Sequence, residues 1–235
     1  MKTYEQFLLD LAGSESSGRY DAVNSLGYLG KYQMGEPALV DSGYYKSDGN
    51  KEDNRFSDQF WTGKDGVKSK AGFLNNRQAQ ENAIREYMKI QWRYILASGS
   101  DRFVGQTIKG YLITTSGILA GAHLGGWRSL ALFLKTGVVA ADKNKVPVTR
   151  YIKKFAGHET PFVARKKLTG LKKDNSRKTT MYQIDNSEWL PKEAAIQMVR
   201  DGVLDGVVVT NSKGTIFLKT RPDGTTVNNL SQGFA

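Results

Sequence analysis

The chain has 235 residues, with 34 Lys and Arg against 23 Asp and Glu, for a formal net charge of +11. It has no cysteine and only two histidines, His123 and His158, which excludes a disulfide framework, a thiolate nucleophile and Cys-type zinc and argues against a multi-His metal centre or a Ser-His triad. No run reaches the roughly 18 apolar residues of a membrane span. The start MKTYEQFLLDLAG carries charge where a secretory leader would be apolar, so cytoplasmic synthesis without a signal peptide is expected.

The charge is unevenly distributed. Residues 1–101 hold 13 basic and 14 acidic side chains, residues 102–178 hold 16 and 3, and residues 179–235 hold 5 and 6. The densest stretch, Lys143 to Lys178, has 12 basic and 2 acidic residues. It reads either as a solvated tether or as an electrostatic footprint for a polyanion.

In chain order, Thr3 is a plausible N-cap for a short helix over YEQFLLDLAG, with Phe7, Leu8 and Leu11 on the apolar face and Gly13 as its stop. A glycine- and tyrosine-rich stretch runs from Ser14 to Tyr45, with a possible helix over Glu36–Val40. Residues 46–76 are polar and read as a long surface loop. Arg77 to Ala97 is helical by periodicity. Thr114–Lys135, the most apolar segment, predicts two helical pieces broken at Gly125-Gly126. The last 57 residues then predict a strand in MYQID, a helix in PKEAAIQMVRDG and a hairpin in GVVVT–NSKG–TIFLKT. The expected class is therefore α+β, with a mainly helical domain over 1–158, a basic linker over 159–178 and a small βαββ accessory module over 179–235.

The segment LAGSESSGRYDAVNSLGYLGKYQMGEPAL, residues 11–39, is the richest in candidate chemistry. Glu15 is expected just past the first helix, where a carboxyl packed against the helix and facing a cleft has the raised pKa a general acid requires. The alternative is a surface glutamate at a helix end. Glu15-Ser16-Ser17-Gly18, Tyr20, Asn24-Ser25 and Gly30-Lys31-Tyr32-Gln33-Met34-Gly35 resemble the paired motifs of lysozyme-like glycosidases and lytic transglycosylases. In that superfamily an E-S pair carries the catalytic glutamate, and a G-L-M-Q type motif lines the sugar cleft. Here the second motif is G-K-Y-Q, retaining the glycine and the glutamine. A third family motif, A-Y-N-x-G, has a looser counterpart in Ala122-His123-Leu124-Gly125-Gly126. The resemblance covers about residues 3–157.

It implies a lysozyme-like fold for the helical domain, with Glu15 protonating the leaving oxygen of a glycosidic bond. Candidates for a second carboxylate are Glu36, otherwise a first-turn residue stabilising a helix dipole, and Asp21, otherwise a turn residue. Gln33, Tyr32, Tyr28, Asn24 and Gly30 would line the sugar wall, although tyrosines are also ordinary core residues. Tyr20 and Trp61 have weaker claims. His123 is either a cleft residue or a hydrogen-bonded core histidine.

The ending TIFLKTRPDGTTVNNL resembles a small uncharacterised bacterial domain through Phe217, Leu218, Thr220, Pro222, Asp223, Thr225, Asn229 and Leu230. No chemistry follows from it, so an accessory binding or docking role is expected. The functional expectation is a bacteriolytic muramidase cleaving the β-1,4 bond between N-acetylmuramic acid and N-acetylglucosamine. Its alternatives are a lytic transglycosylase or a non-catalytic basic polyanion-binding protein. No cofactor or metal is expected. The expected partners are peptidoglycan strands, with anionic wall polymers and an immunity or secretion-apparatus protein as further ones, and no nucleic acid. Action in the periplasm or cell wall would follow injection as an antibacterial toxin, phage lysis or another delivery.

Overall fold

The computed structural model describes residues 2–50, 53–139 and 145–221. Its class is mixed α+β. Seven α-helices are described, six of them before residue 155, and the larger β-sheet lies in the C-terminal part. The chain divides into two compact units, residues 1–97 with 105–162, and residues 98–104 with 163–235. No helix among the described residues is long and apolar enough to cross a membrane.

In the first unit, α1 spans Tyr4–Ser16, opened by the Thr3 hydroxyl accepting from the Gln6 N–H. It continues through Gly13 because glycine in a helix costs only about 1 kcal/mol and stops it only where a left-handed residue is needed. That residue is Ser17, at φ 57°, after which the Gly18 N–H closes on the Ala12 carbonyl at 3.0 Å. Helix α2 is Glu36–Asp41 and α3 is Lys70–Asn75. The stretch expected as a surface loop, 46–76, thus holds a helix and an aromatic cluster. Tyr45, Phe56, Trp61 and Phe73 meet at ring distances of 5.3–5.8 Å. These aromatics follow neither helical nor strand spacing, so periodicity misses them.

Helix α4, Arg77–Ala97, has the bounds its periodicity predicts and buries Ala79, Gln80, Ala83, Ile84, Tyr87, Met88, Gln91, Trp92 and Ile95. A two-residue hairpin, β1 Thr107–Ile108 with β2 Tyr111–Leu112, precedes α5, Thr115–Thr136. The expected break in α5 is present: Gly126 has φ 77°, ψ 152° inside the helix. Helix α6, Val148–Lys154, lies against α5 where the latter carries glycine. A Cβ on Gly117 would come within 2.7 Å of the Ile152 carbonyl, and one on Gly121 within about 3.1 Å of Val148.

In the second unit, β3 Lys166–Lys173, β4 Thr179–Ile184, β5 Glu188–Pro191 and β6 Leu204–Asp205 form a sheet of order β5-β4-β3-β6. The β3–β6 pair is parallel and the others antiparallel. Helix α7, Lys192–Arg200, and the hairpin β7 Val207–Thr210 with β8 Ile216–Lys219 complete it. The hairpin turn is locked by Asn211, whose side-chain oxygen accepts from the Lys213 and Thr215 N–H groups. The core is Leu168, Tyr182, Ile184, Ala195, Ile196, Leu204 and Leu218.

The stretch expected as a linker, 159–178, therefore contains an interior strand. Leu168 and Gly170 of β3 point inward while Lys166, Lys172 and Lys173 stay exposed, and this lysine-rich alternation masks the strand in the sequence. Arg165, just before β3, places Nη2 2.6 Å and Nε 2.8 Å from the two carboxylate oxygens of the fully buried Asp101. Arg165 Nη1 also stands 3.2 Å from Asp205 Oδ1, so removal of Asp101 takes away two charge-assisted hydrogen bonds but not the whole counter-charge. Asp101→Ala should accordingly cost about 1.5–3 kcal/mol, read as lost hydrogen-exchange protection of the β3 and β4 amides.

Candidate active site

Glu15 lies in the last turn of α1 rather than beyond it, with 14% of its side chain exposed. The Tyr151 hydroxyl, from α6, donates to Glu15 Oε1 at 3.0 Å, and His123 Nε2, from α5, stands 3.5 Å from the same oxygen. His123 is the cleft-motif residue that does meet Glu15. Its Nδ1 is buried without a hydrogen-bond partner among the described residues. A proton on Nε2 pairs with the carboxylate and leaves only an unfilled acceptor at Nδ1, the cheaper arrangement. Tyr87 of α4 packs edge-on against the imidazole at 5.9 Å. The α1–α6 contact is reinforced by Lys154 Nζ donating to Ser14 Oγ at 2.7 Å. Four helices thus converge on one half-buried carboxylate.

The second motif folds as a tight turn. Leu29 and Met34 exchange backbone hydrogen bonds of 3.0 and 2.9 Å, and Gly30–Gln33 form the loop between them. Gln33 sits at φ 46°, and its side-chain amide donates to the Gly30 carbonyl at 2.9 Å. Ser16, next to Glu15, donates its hydroxyl to the Lys31 carbonyl at 2.8 Å and so ties the turn to the end of α1. Gly30 has φ +72°, and a Cβ there would run into the Gln80 side chain. Glycine is required twice over, by conformation and by space.

Beneath the turn lies a buried charge network. Lys31, 9% exposed at its side chain, places Nζ 2.6 Å from Glu81. Tyr20 and Tyr32 each donate a hydroxyl to Glu81 at 2.8 Å. Burial works against the Glu81 carboxylate, but the hydrogen bonds from Lys31, Tyr32 and Tyr20 outweigh it and hold its pKa below the ordinary value. Gln80 is equally committed: its oxygen accepts from the Lys31 N–H at 2.8 Å, and its amide donates to the Tyr20, Phe73 and Leu74 carbonyls.

Several residues expected at the site lie elsewhere. Tyr32 is 1% exposed and belongs to the core, because its hydroxyl finds a charged acceptor inside. Asn24 is a turn residue whose side-chain oxygen accepts from the Leu26 and Tyr28 N–H groups. Tyr28 is half-buried and packs against Gly35, and Asp21 is exposed in a turn. Trp61 sits in the aromatic cluster around Tyr45. Glu36 opens α2 and is fully buried. Its backbone N–H donates to Asn54 Oδ1 at 2.8 Å, while its carboxylate faces Asp48 and Asp53. Burial, followed by the charge of Asp48, raises its pKa.

Tyr151, Gln80 and Glu81 are residues sequence reasoning misses, and Lys31 enters it only as a motif position without a role. Tyr151 lies 136 positions from its partner, beyond the reach of any local pattern. Gln80 did carry a signal, a polar residue inside the apolar stripe Ala79, Ala83, Ile84 of α4. A groove of about 510 Å³ in this unit is lined by other residues, among them Tyr4, Lys64, Arg85 and Phe162.

A family model described as "Protein of unknown function (DUF3892)" matches residues 164–232, within the second unit. It agrees with the reading of the C-terminal stretch as a small uncharacterised domain. Pro222, Asp223, Thr225, Asn229 and Leu230, which carry part of that reading, lie outside the described residues. Comparison with curated proteins and with solved structures finds no match.

The depressed Glu81 pKa sets a pH dependence. A carboxylate whose folded pKa lies below its unfolded value of about 4.3 contributes stability that is fully present above that value and lost as pH falls through the folded pKa. Stability of the wild type should fall below about pH 4.3, and Glu81→Gln should flatten that limb in thermal unfolding between pH 3 and 7. At neutral pH the same variant should lose about 2 kcal/mol through the unpaired Lys31.

Proposed function

We propose that the chain is a peptidoglycan glycosidase that cleaves the β-1,4 bond between N-acetylmuramic acid and N-acetylglucosamine, with Glu15 as general acid. The observation that carries this reading is the Glu15 carboxylate itself: half-buried at the end of α1, gripped through one oxygen by Tyr151 and His123, and adjoining the Gly30–Gln33 turn through Ser16. The resemblance of the same segments to lysozyme-like enzymes supports it. Both contacts fall on Oε1, so Oε2 is the oxygen left to carry a proton to the leaving group. Protonation of the glycosidic oxygen accompanies positive charge developing on the sugar ring. Of the expected sugar-wall residues, Gln33 and Tyr28 are partly exposed and remain as its polar and aromatic surfaces.

The fate of the ring cation separates two modes. A hydrolase needs a second carboxylate, to activate water or to attack the ring. Glu36 is fully buried against Asp48 and Asp53, Asp21 is exposed in a turn, and Glu81 is occupied by Lys31, Tyr20 and Tyr32. This favours the lytic transglycosylase reading within the same class, in which the substrate's own hydroxyl attacks and an anhydro-sugar results. The second unit, with its exposed β3 lysines, would serve as an accessory surface for anionic wall polymers.

Glu15→Gln should reduce release of soluble fragments from purified sacculi by about 10²–10⁴-fold, the range general acid catalysis supplies, with the circular dichroism spectrum unchanged. Mass spectrometry of the wild-type products should find muropeptides lighter by one water. Reducing ends would reverse the choice of mode, and full activity of the variant would overturn the assignment of Glu15.

A further inference from the structure

The buried carboxylate of Glu36 has no role in the proposed reaction and no cationic partner among the described residues. Its residue is fully buried, and neither Oε1 nor Oε2 has a hydrogen-bond partner at standard geometry among the described residues; the nearby Asp48 backbone N–H offsets only part of the effect of burial. An unpaired buried carboxylate is among the most costly groups a protein can hold. Asp48 and Asp53 compound that cost, since carboxylate oxygens of Glu36, Asp48 and Asp53 all lie within 4.8 Å of one another. Like charges that close destabilise one another unless a cation joins them.

We infer that Glu36, Asp48 and Asp53 form a calcium site that fastens Asp48 and Asp53 to the start of α2. Calcium takes oxygen ligands at about 2.3–2.6 Å, so two ligands on opposite sides of the ion stand roughly 4.6–5.2 Å apart and others closer. The three carboxylates already lie within that span. An all-oxygen, carboxylate-rich set suits a hard divalent cation and is a poor match for zinc, which favours nitrogen and sulfur. Magnesium is commonly held by one or two carboxylates with waters, whereas calcium accepts a flexible shell of six to eight oxygens. Asn54 shows what the ion would consolidate, since its side chain already bridges the Glu36 N–H and the Leu26 carbonyl. The ion's role is structural and independent of the glycosidase reading.

The test uses the full chain after chelator treatment. Adding 1 mM CaCl2 should raise the thermal midpoint by about 5–10 °C, as a hundredfold excess over Kd does for a protein of this size. Tb3+ should bind with luminescence sensitised by Tyr45, whose phenol feels burial first, then the Ser57 N–H hydrogen bond, and then the charges of Asp48, Glu36 and Asp53. The Asp48→Asn, Asp53→Asn double variant, altered in a loop, should lose both responses while retaining its fold. Glu36→Gln should melt above the wild type in chelator and below it in calcium, because it removes an uncompensated charge in one case and a ligand in the other. Absence of a calcium shift in the wild type, an equal shift in the double variant, or an equal response to 1 mM magnesium would overturn the assignment.

Discussion

A lysine ammonium withdrawn from solvent and set 2.6 Å from a carboxylate dictates the path of the chain between α1 and α2. Lys31 can be buried only because Glu81 neutralises it, and Glu81 tolerates its own burial only because Lys31, Tyr20 and Tyr32 supply donors to both oxygens. The network leaves the backbone little choice. With the Lys31 side chain pulled toward α4 and its N–H held by Gln80, the 30–33 turn must close tightly, and only glycine fits at position 30. Ser16 then reads the position of that turn through the Lys31 carbonyl and fixes the end of α1, where Glu15 projects. One adjacent pair on α4, Gln80 and Glu81, therefore positions a carboxylate with which it has no direct bond.

The opposite wall of the site is set by shape rather than charge. Gly117 lets the α6 backbone approach α5 closer than a Cβ would permit, and Gly121 leaves room for the Val148 and Ile152 side chains. That approach brings Tyr151 beside His123, so two side chains from different helices reach the same Glu15 oxygen. Three glutamates consequently occupy three electrostatic settings. Glu81 is saturated with donors and held charged, Glu36 is buried among carboxylates and driven toward neutrality, and Glu15 is held on one oxygen with the other available. Only the last combination suits a group that must give up a proton to a substrate and regain it.

The legible parts of the sequence were those governed by short-range rules. The Thr3 cap, the 3.6-residue rhythm of α4, the glycine break at Gly126 and the Asn211 turn each depend on a few neighbouring residues. The segments around Glu15 and Gly30–Gln33 stood out as motif. What escaped was decided by tertiary partners. Tyr32 and Asn24 carry groups suited to sugar hydroxyls, yet an internal acceptor and a local turn consume them. Strand β3 escaped because exposed lysines flank its two inward positions, so a basic strand reads as a basic tether. The aromatic cluster from Tyr45 to Phe73 escaped because irregular backbone has no period to detect.

Net charge conceals a local contrast of the opposite sign. The chain carries +11, yet residues 1–101 sum to −1, and within them Glu36, Asp48 and Asp53 concentrate negative charge at a single point. Charges more than about 8–10 Å apart in physiological salt are largely screened from one another. The surplus in residues 102–178 therefore does not relieve the carboxylates around Glu36 unless one of its cations stands beside them. Among the described residues, the basic group paired with the cluster is the exposed Arg55, 3.9 Å from Asp53. Neutralising the buried end takes a charge small enough to enter among the three carboxylates, and a divalent ion meets that condition where a side chain on the surface does not.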